Sequence, residues 1–149
     1  MEISGDHQFS AAHARVWASL LDPAALQACM PGCEKFEETA PGKYDITIKV
    51  GIAAIKGTYN GTVTVADVNP EESYRLLVTG SGKPGSVHGD AVLTLSDKDG
   101  GTLVSYKGEV KAQGAIARLG SRLLGGAAKL MIGQFMKAME KRIEEAPVS

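Results

Sequence analysis

A large basic excess is missing from the 149 residues: 16 Lys+Arg stand against 17 Asp+Glu, a formal charge of -1. A protein held to nucleic acid mainly by phosphate contacts carries a strong positive surplus, so that class is disfavoured. Cysteine is scarce. Cys29 and Cys33 sit in Cys-Met-Pro-Gly-Cys with no second pair, and His7, His13 and His88 are scattered. A four-ligand zinc site therefore has no local motif, and no metal is expected; a buried-thiol or turn role is the reading for both cysteines. No run of about 18 uncharged apolar residues occurs, the length a spanning helix requires. The nearest, Gly114 to Phe135, is interrupted by Arg118, Arg122 and Lys129. The opening MEISGDHQFS has an acidic Glu2 and neither the basic start nor the apolar centre of a secretory signal, so a soluble cytoplasmic protein is expected. Aromatic residues make up only 5% of the chain while glycine supplies 18 positions. A core short of rings and rich in glycine is open to being incompletely filled.

What is present fits one domain over residues 1–146 with a short tail at 147–149, since this length can bury most of its apolar surface around a single core. Glu2 to Phe9 reads as a strand. Ser10 to Leu21 places Ala11, Ala14, Trp17, Ala18 and Leu21 at helical spacing with Ser10 as N-cap, and Asp22-Pro23 restarts a second short helix that stops at Pro31-Gly32. The next eighty residues alternate with period two, as in Tyr44, Ile46, Ile48 and Val50, between turns at Pro41-Gly42, Asn69-Pro70, Lys83-Pro84-Gly85 and Asp99-Gly100-Gly101. A helical pattern then runs from about Gly114 to Glu145. Its apolar arc, with Ile116, Leu119, Leu123, Leu124, Ala127, Leu130, Met131 and Phe135, is wide enough to lie across a sheet. The expected class is α+β, a helix-grip architecture: a curved seven-stranded antiparallel sheet around a long C-terminal helix, with two short helices between the first and second strands.

Several stretches carry a family resemblance. Val16-Trp17, Leu21-Asp22-Pro23, Leu26 and Cys29-Met30-Pro31-Gly32-Cys33-Glu34, then Lys49-Val50-Gly51 with Lys56-Gly57-Thr58-Tyr59-Asn60-Gly61, follow one another in order. Ser73-Tyr74-Arg75-Leu76, Gly100-Gly101-Thr102 and Leu119-Gly120-Ser121-Arg122-Leu123-Leu124 continue the series. In order and spacing the chain resembles CoxG proteins, the G subunits of carbon monoxide dehydrogenase, which belong to the START-like, pollen-allergen-like SRPBCC superfamily; the match spans about residues 2 to 143. The resemblance implies a helix-grip fold with an internal hydrophobic cavity, and a non-catalytic accessory role beside a CO-dehydrogenase-like molybdenum hydroxylase. It implies a partner dehydrogenase complex, recruitment to the inner face of the cytoplasmic membrane, and carriage of a lipid-soluble acceptor, an isoprenoid quinone or lipid, with no covalent cofactor. Longer relatives carry an added C-terminal anchoring segment; the sequence ends at Ser149 without one, so docking is expected to be transient. An assembly or recruitment factor with no cargo, or a small START-like enzyme acting on an apolar substrate, are the alternatives.

Strand parity supplies the candidate site. Ile46, Ile48, Val50, Val63, Val65, Leu76, Val78, Val87, Ala91, Leu93, Val104 and Tyr106 should face the helix, closed by Trp17, Leu123, Ala127, Met131 and Phe135. Gly89, Ala91, Gly108 and Ala127 remove volume there; the same residues could also fill a solid core. Tyr59 and Tyr106 could each donate to a ligand carbonyl or reach solvent. Alternate turns of a meander gather at one end, which would bring Gly51 to Lys56, Ser81 to Ser86 and Ala112 to Ile116 to one mouth. There Ile52-Ala53-Ala54-Ile55 is an apolar tip where turns are usually polar. Lys56, Lys83 and Lys111 flank it, and Arg118, Arg122 and Lys129 either join that rim or form the solvated face of the helix. An apolar tip with a basic rim suits an anionic membrane surface or a partner. Acid–base catalysis is disfavoured: His88, Asp90 and Glu109 have the outward parity, and no Gly-x-Ser-x-Gly, Walker or Rossmann motif occurs.

Overall fold

The computed structural model describes residues 1–145, so the expected tail and residue 146 lie outside the described residues. Strand β1 (Glu2–Phe9) is followed by helices α1 (His13–Leu20) and α2 (Pro23–Cys29). Strands β2 (Cys33–Ala40), β3 (Lys43–Val50), β4 (Gly57–Asn69), β5 (Ser73–Gly82), β6 (Gly85–Lys98) and β7 (Gly101–Gln113) come next, and helix α3 (Gly120–Glu145) closes the chain. All seven strands form one antiparallel sheet in the order β1-β7-β6-β5-β4-β3-β2. This is the expected helix-grip arrangement.

Two local expectations need correction. Helix α1 begins at His13, with Ala12 at the cap and no side-chain cap bond. Ser10, expected to cap it, instead donates its hydroxyl to Glu144 Oε1 at 3.3 Å. Asp22 does cap α2, accepting from the Ala24 N–H at 3.3 Å ahead of Pro23 in the first turn. The terminal helix is not continuous from Gly114. A 3₁₀ segment, Ala115–Leu119, comes first, and α3 starts only after Gly120 takes φ +84°, a conformation that closes off helical continuation for other residues.

The main core occupies one half of the molecule. Phe9, Val16, Leu20, Leu93, Leu95 and Val104 are buried there beneath Met136, Met139 and Ile143 of α3. Trp17 packs edge-on against Tyr74, with ring centroids 5.7 Å apart. A second cluster, Val50, Ile55, Tyr59 and Ile116, lies at the other end, and a third joins Tyr44, Ile46 and Val63.

One ionic contact pins α1 to the far end of the sheet. His13 Nδ1 lies 2.9 Å from Asp97 Oδ1, and Nε2 meets the Glu71 carbonyl. Both partners accept, so the doubly protonated ring is favoured. The Glu71 carbonyl first, and then the Asp97 carboxylate, raise the His13 pKa above its ordinary 6.5. A raised folded-state pKa means this contribution is complete below about pH 6.5 and fades as pH rises through the folded value. His13→Gln should therefore flatten the stability loss above neutrality, and an NMR titration of His13 should place its midpoint above that of a free histidine. A midpoint at or below the ordinary value would remove this account.

Candidate functional site

The cavity originates in small residues that the sheet register brings together. Two rows cross the inner face: Tyr44, Val63, Val78, Gly89 and Val110, and beside it Ile46, Gly61, Gly80, Val87 and Ala112. Gly80 and Gly89 thus fall at the middle of the sheet with Ala127 and Ala128 of α3 over them, whereas Gly61 beside them permits close strand contact, since a Cβ there would collide with the Thr79 carbonyl. Where a filled interior would place branched or aromatic side chains there is a void of about 310 Å³. Its wall is almost wholly apolar.

Of the residues assigned to a cavity from parity, Ile46, Ile48, Val50, Tyr59, Leu76, Val78, Val87, Ala91, Ala127 and Met131 line it. Others lie elsewhere. Trp17, Leu93, Val104, Tyr106 and Phe135 belong to the main core or pack against it, Val65 packs there too, and Val63 belongs to the Tyr44 cluster. The cavity fills only one half of the inner face, so parity alone overcounted. Leu123 is the clearest correction: it points outward and is 45% exposed, while its neighbour Leu124 faces the void. Leu124, Ala127, Ala128, Met131 and Ile132 form the inward stripe, spaced i, i+3, i+4, i+7 and i+8. Ile3, Val110 and Ile116 complete the wall; the parity of Ile3 with the buried Phe9 was the signal available for it. Gly108 does not open space. A Cβ there would lie 2.2 Å from the Asp90 carbonyl, so its glycine permits close strand contact.

The polar handles differ from expectation too. The Tyr59 hydroxyl donates to the Ile55 carbonyl at 2.7 Å, and burial raises its pKa. Its proton is therefore engaged and not offered to a ligand carbonyl. Tyr106 lies outside the cavity wall, with its ring against Gly5 and its pKa raised by burial. Among the described residues the void presents no free side-chain donor to orient a polar head.

The three loops expected at one mouth do meet. The Ile116 N–H donates to the Pro84 carbonyl at 2.7 Å, and a Cβ on Gly57 would rest 3.5 Å from the Pro84 ring. Gly85, at φ +135°, approaches so closely that a Cβ would fall 2.1 Å from the Gln113 carbonyl. Ala53–Ile55 forms a 3₁₀ turn in which Ile55 is buried, so Ile55 is not the exposed tip foreseen. An outer groove is bordered instead by Ile52, Ala54, Leu119, Leu123 and Leu130, with Leu130 52% exposed. Arg122 flanks this groove, and Lys56, Lys83, Arg118 and Lys129 are exposed. Lys111 is on the outer face of the sheet opposite His88, beside a second groove on the other side of α3. Asp67, Glu71, Glu72, Asp97 and Asp99 lie at the opposite end of the sheet, at its turns.

The polar outer face holds His88, Asp90 and Glu109, as parity required. Asp90 accepts two hydrogen bonds from Arg75, one of 2.8 Å from Nε, and these hold its carboxyl below the usual range. Burial raises the Cys29 and Cys33 thiols, which keeps them protonated. Among the described residues, no group of three or more His, Cys, Asp or Glu is placed to hold a metal ion, and no helix is long and apolar enough to cross a membrane.

Residues 5–144 match the family described as CoxG, the G subunit of carbon monoxide dehydrogenase. The chain belongs to that family. It is 36% identical to a conserved protein from Geobacillus kaustophilus whose crystal structure superposes with a TM-score of 0.93, over 97% of this chain and 96% of that one. A START superfamily protein from Mycobacterium smegmatis gives a TM-score of 0.77 at 12% identity, covering 97% of each chain. The crystal structure of Ara h 8.0201 gives 0.71 at 14% identity, over 98% of this chain and 99% of that one. These two likenesses place the CoxG chain in the START-like helix-grip fold and carry nothing further. No curated protein matches.

Proposed function

We propose that this CoxG-family chain is a non-catalytic accessory protein of a CO-dehydrogenase-like molybdenum hydroxylase, which takes an apolar molecule into its cavity and docks transiently on the inner face of the cytoplasmic membrane. The observation that carries the reading is the void itself, almost wholly apolar and set beneath small residues of sheet and helix. At about 310 Å³ it stands at the lower end of ligand pockets. A ring and the first units of a prenyl chain suit that volume, with the rest of a long tail leaving beside α3. An isoprenoid quinone or a lipid is the proposed cargo. Its recognition would rest on burial, because among the described residues the wall is almost wholly apolar. Among the described residues no titratable pair converges on the cavity, which favours carriage over turnover.

Leu123, Leu130 and Ile52, with Arg122 beside them, form the proposed docking face. Burial of such side chains is worth about 1.5–3 kcal/mol each, and each basic group near an anionic surface adds about 1 kcal/mol. Acids at the far end of the sheet orient the molecule the same way. One experiment reads both halves: incubation with phosphatidylglycerol vesicles loaded with ubiquinone, followed by flotation. Wild-type protein should float with the vesicles, and the protein recovered after release should carry close to one quinone per chain. Leu123→Asp and Ile52→Asp should each weaken vesicle binding by tenfold or more, on the order of one lost apolar anchor. Flotation unaffected by either change would end the docking assignment; protein recovered free of quinone would end carriage.

A further inference from the structure

Three polar side chains belong to residues of the cavity wall, and all three are engaged elsewhere. Thr79 Oγ1 accepts from the Thr62 N–H at 3.0 Å and lies 2.8 Å from the Thr62 hydroxyl, both contacts being exposed. The Asp90 carboxylate is held by Arg75 on the outer face. The buried Tyr59 hydroxyl donates to the Ile55 carbonyl at 2.7 Å and so covers that acceptor. The backbone behind the small residues is paired on both sides in the sheet, Gly80 with Gly61 and Val87, and Gly89 with Val78 and Val110. Among the described residues, no buried side-chain nitrogen or oxygen lacks a partner. A void lined in this way also stays dry, so no ordered water supplies the missing polar group.

Such a wall treats two kinds of ligand oxygen differently. A quinone carbonyl is a weak acceptor that requires no partner. A quinol hydroxyl carries a donor, and burying it without an acceptor is strongly unfavourable. An apolar pocket discriminates against one added hydroxyl by roughly 100-fold.

We infer that the cavity distinguishes the redox states of its cargo, taking the oxidised quinone and excluding the quinol. The inference rests on the quinone carriage proposed above. Two electrons from the dehydrogenase and two protons convert both carbonyl oxygens to hydroxyls, and the product no longer suits the wall. Carriage is thereby directional: the oxidised form is delivered, and the reduced form is left to the membrane, whose interface pairs its hydroxyls. Tyr59 is the specificity-determining residue, because its hydroxyl occupies the Ile55 carbonyl that a quinol would otherwise use.

Anaerobic equilibrium dialysis of the full chain tests this, with a ubiquinone bearing a single prenyl unit and with its quinol as probes. The quinone should bind roughly 100-fold more tightly. By linkage its two-electron midpoint potential should fall on binding by about 60 mV, at about 30 mV for each tenfold preference. Tyr59→Phe uncovers the Ile55 carbonyl and should narrow the preference to about tenfold or less by strengthening quinol binding. Equal affinity for the two forms would overturn the selectivity while leaving carriage standing. A preference that Tyr59→Phe leaves unmoved would overturn the role of Tyr59. Failure of both forms to bind would remove carriage itself, and this inference with it.

Discussion

Gly89→Ile is expected to stabilise the protein and to weaken ligand binding. Gly89 lies on the inner face of β6 between Val78 and Val110, and a Cβ built there has only Val78 Cβ, at 3.9 Å, within reach. Its backbone is outside the left-handed region, so a β-branched residue can be accommodated. Isoleucine would enter the void, gaining burial worth roughly 1.5–3 kcal/mol against some loss of side-chain freedom, and would remove a weak residue from mid-strand. The net expectation is about 1–2 kcal/mol of added stability, a rise in Tm of about 3–8 °C. Affinity for an apolar probe should fall by about 10- to 100-fold, because the new side chain occupies the ligand's place.

The opposite signs make the experiment decisive. In a solid core the same substitution would overpack and cost about 1–3 kcal/mol. Denaturant unfolding and probe titration of the same sample separate the cases. Destabilisation together with unchanged binding would show that the space beneath Ala127 and Ala128 closes in solution, and the functional reading would lose its basis. A void kept at the expense of stability is expected only where the void is used.

Much of this was legible in the sequence because the strands obey a strict period. Tyr44, Ile46, Ile48 and Val50 share one face, and the turn residues fix the meander, so the order of the elements and the inward parity follow. Parity identifies a face and is silent on where that face is packed and where it is empty. Leu93 and Gly89 have the same parity; one is buried in the core and the other borders the cavity, since the fully buried side chains of α3, Met136, Met139 and Ile143, all lie in its second half. The Leu123/Leu124 exchange has a related cause. A continuous helix from Gly114 sets one register, and the break at Gly120 sets another. Ile55 and Tyr59 could not be placed from composition, because the 3₁₀ turn that buries the one and bonds the other depends on Ile116 arriving from sixty residues further along the chain.

The division between packed and empty halves predicts a second large effect, a contrast between two methionines eight residues apart on α3. Met139 has no exposed surface and lies in the main core with Phe9, Val16, Leu20 and Val104, so its truncation leaves a cavity in close-packed surroundings. Met139→Ala should cost about 3 kcal/mol, a large part of the 5–15 kcal/mol that holds a typical domain together. Met131 is half-buried and borders a void that already exists. It packs only in part against the Val50, Ile55, Tyr59 and Ile116 cluster and its remaining inner surface faces the void, so Met131→Ala should cost less, about 1 kcal/mol. Binding should show the reverse order. Met139→Ala should leave probe affinity per folded molecule within about twofold, since it touches no part of the site, whereas Met131→Ala alters the wall and should change affinity several-fold. Chemical denaturation with parallel probe titration measures both quantities. Equal destabilisation at the two positions would mean that Met131 is packed as tightly as Met139, and the cavity half would then be core like the rest.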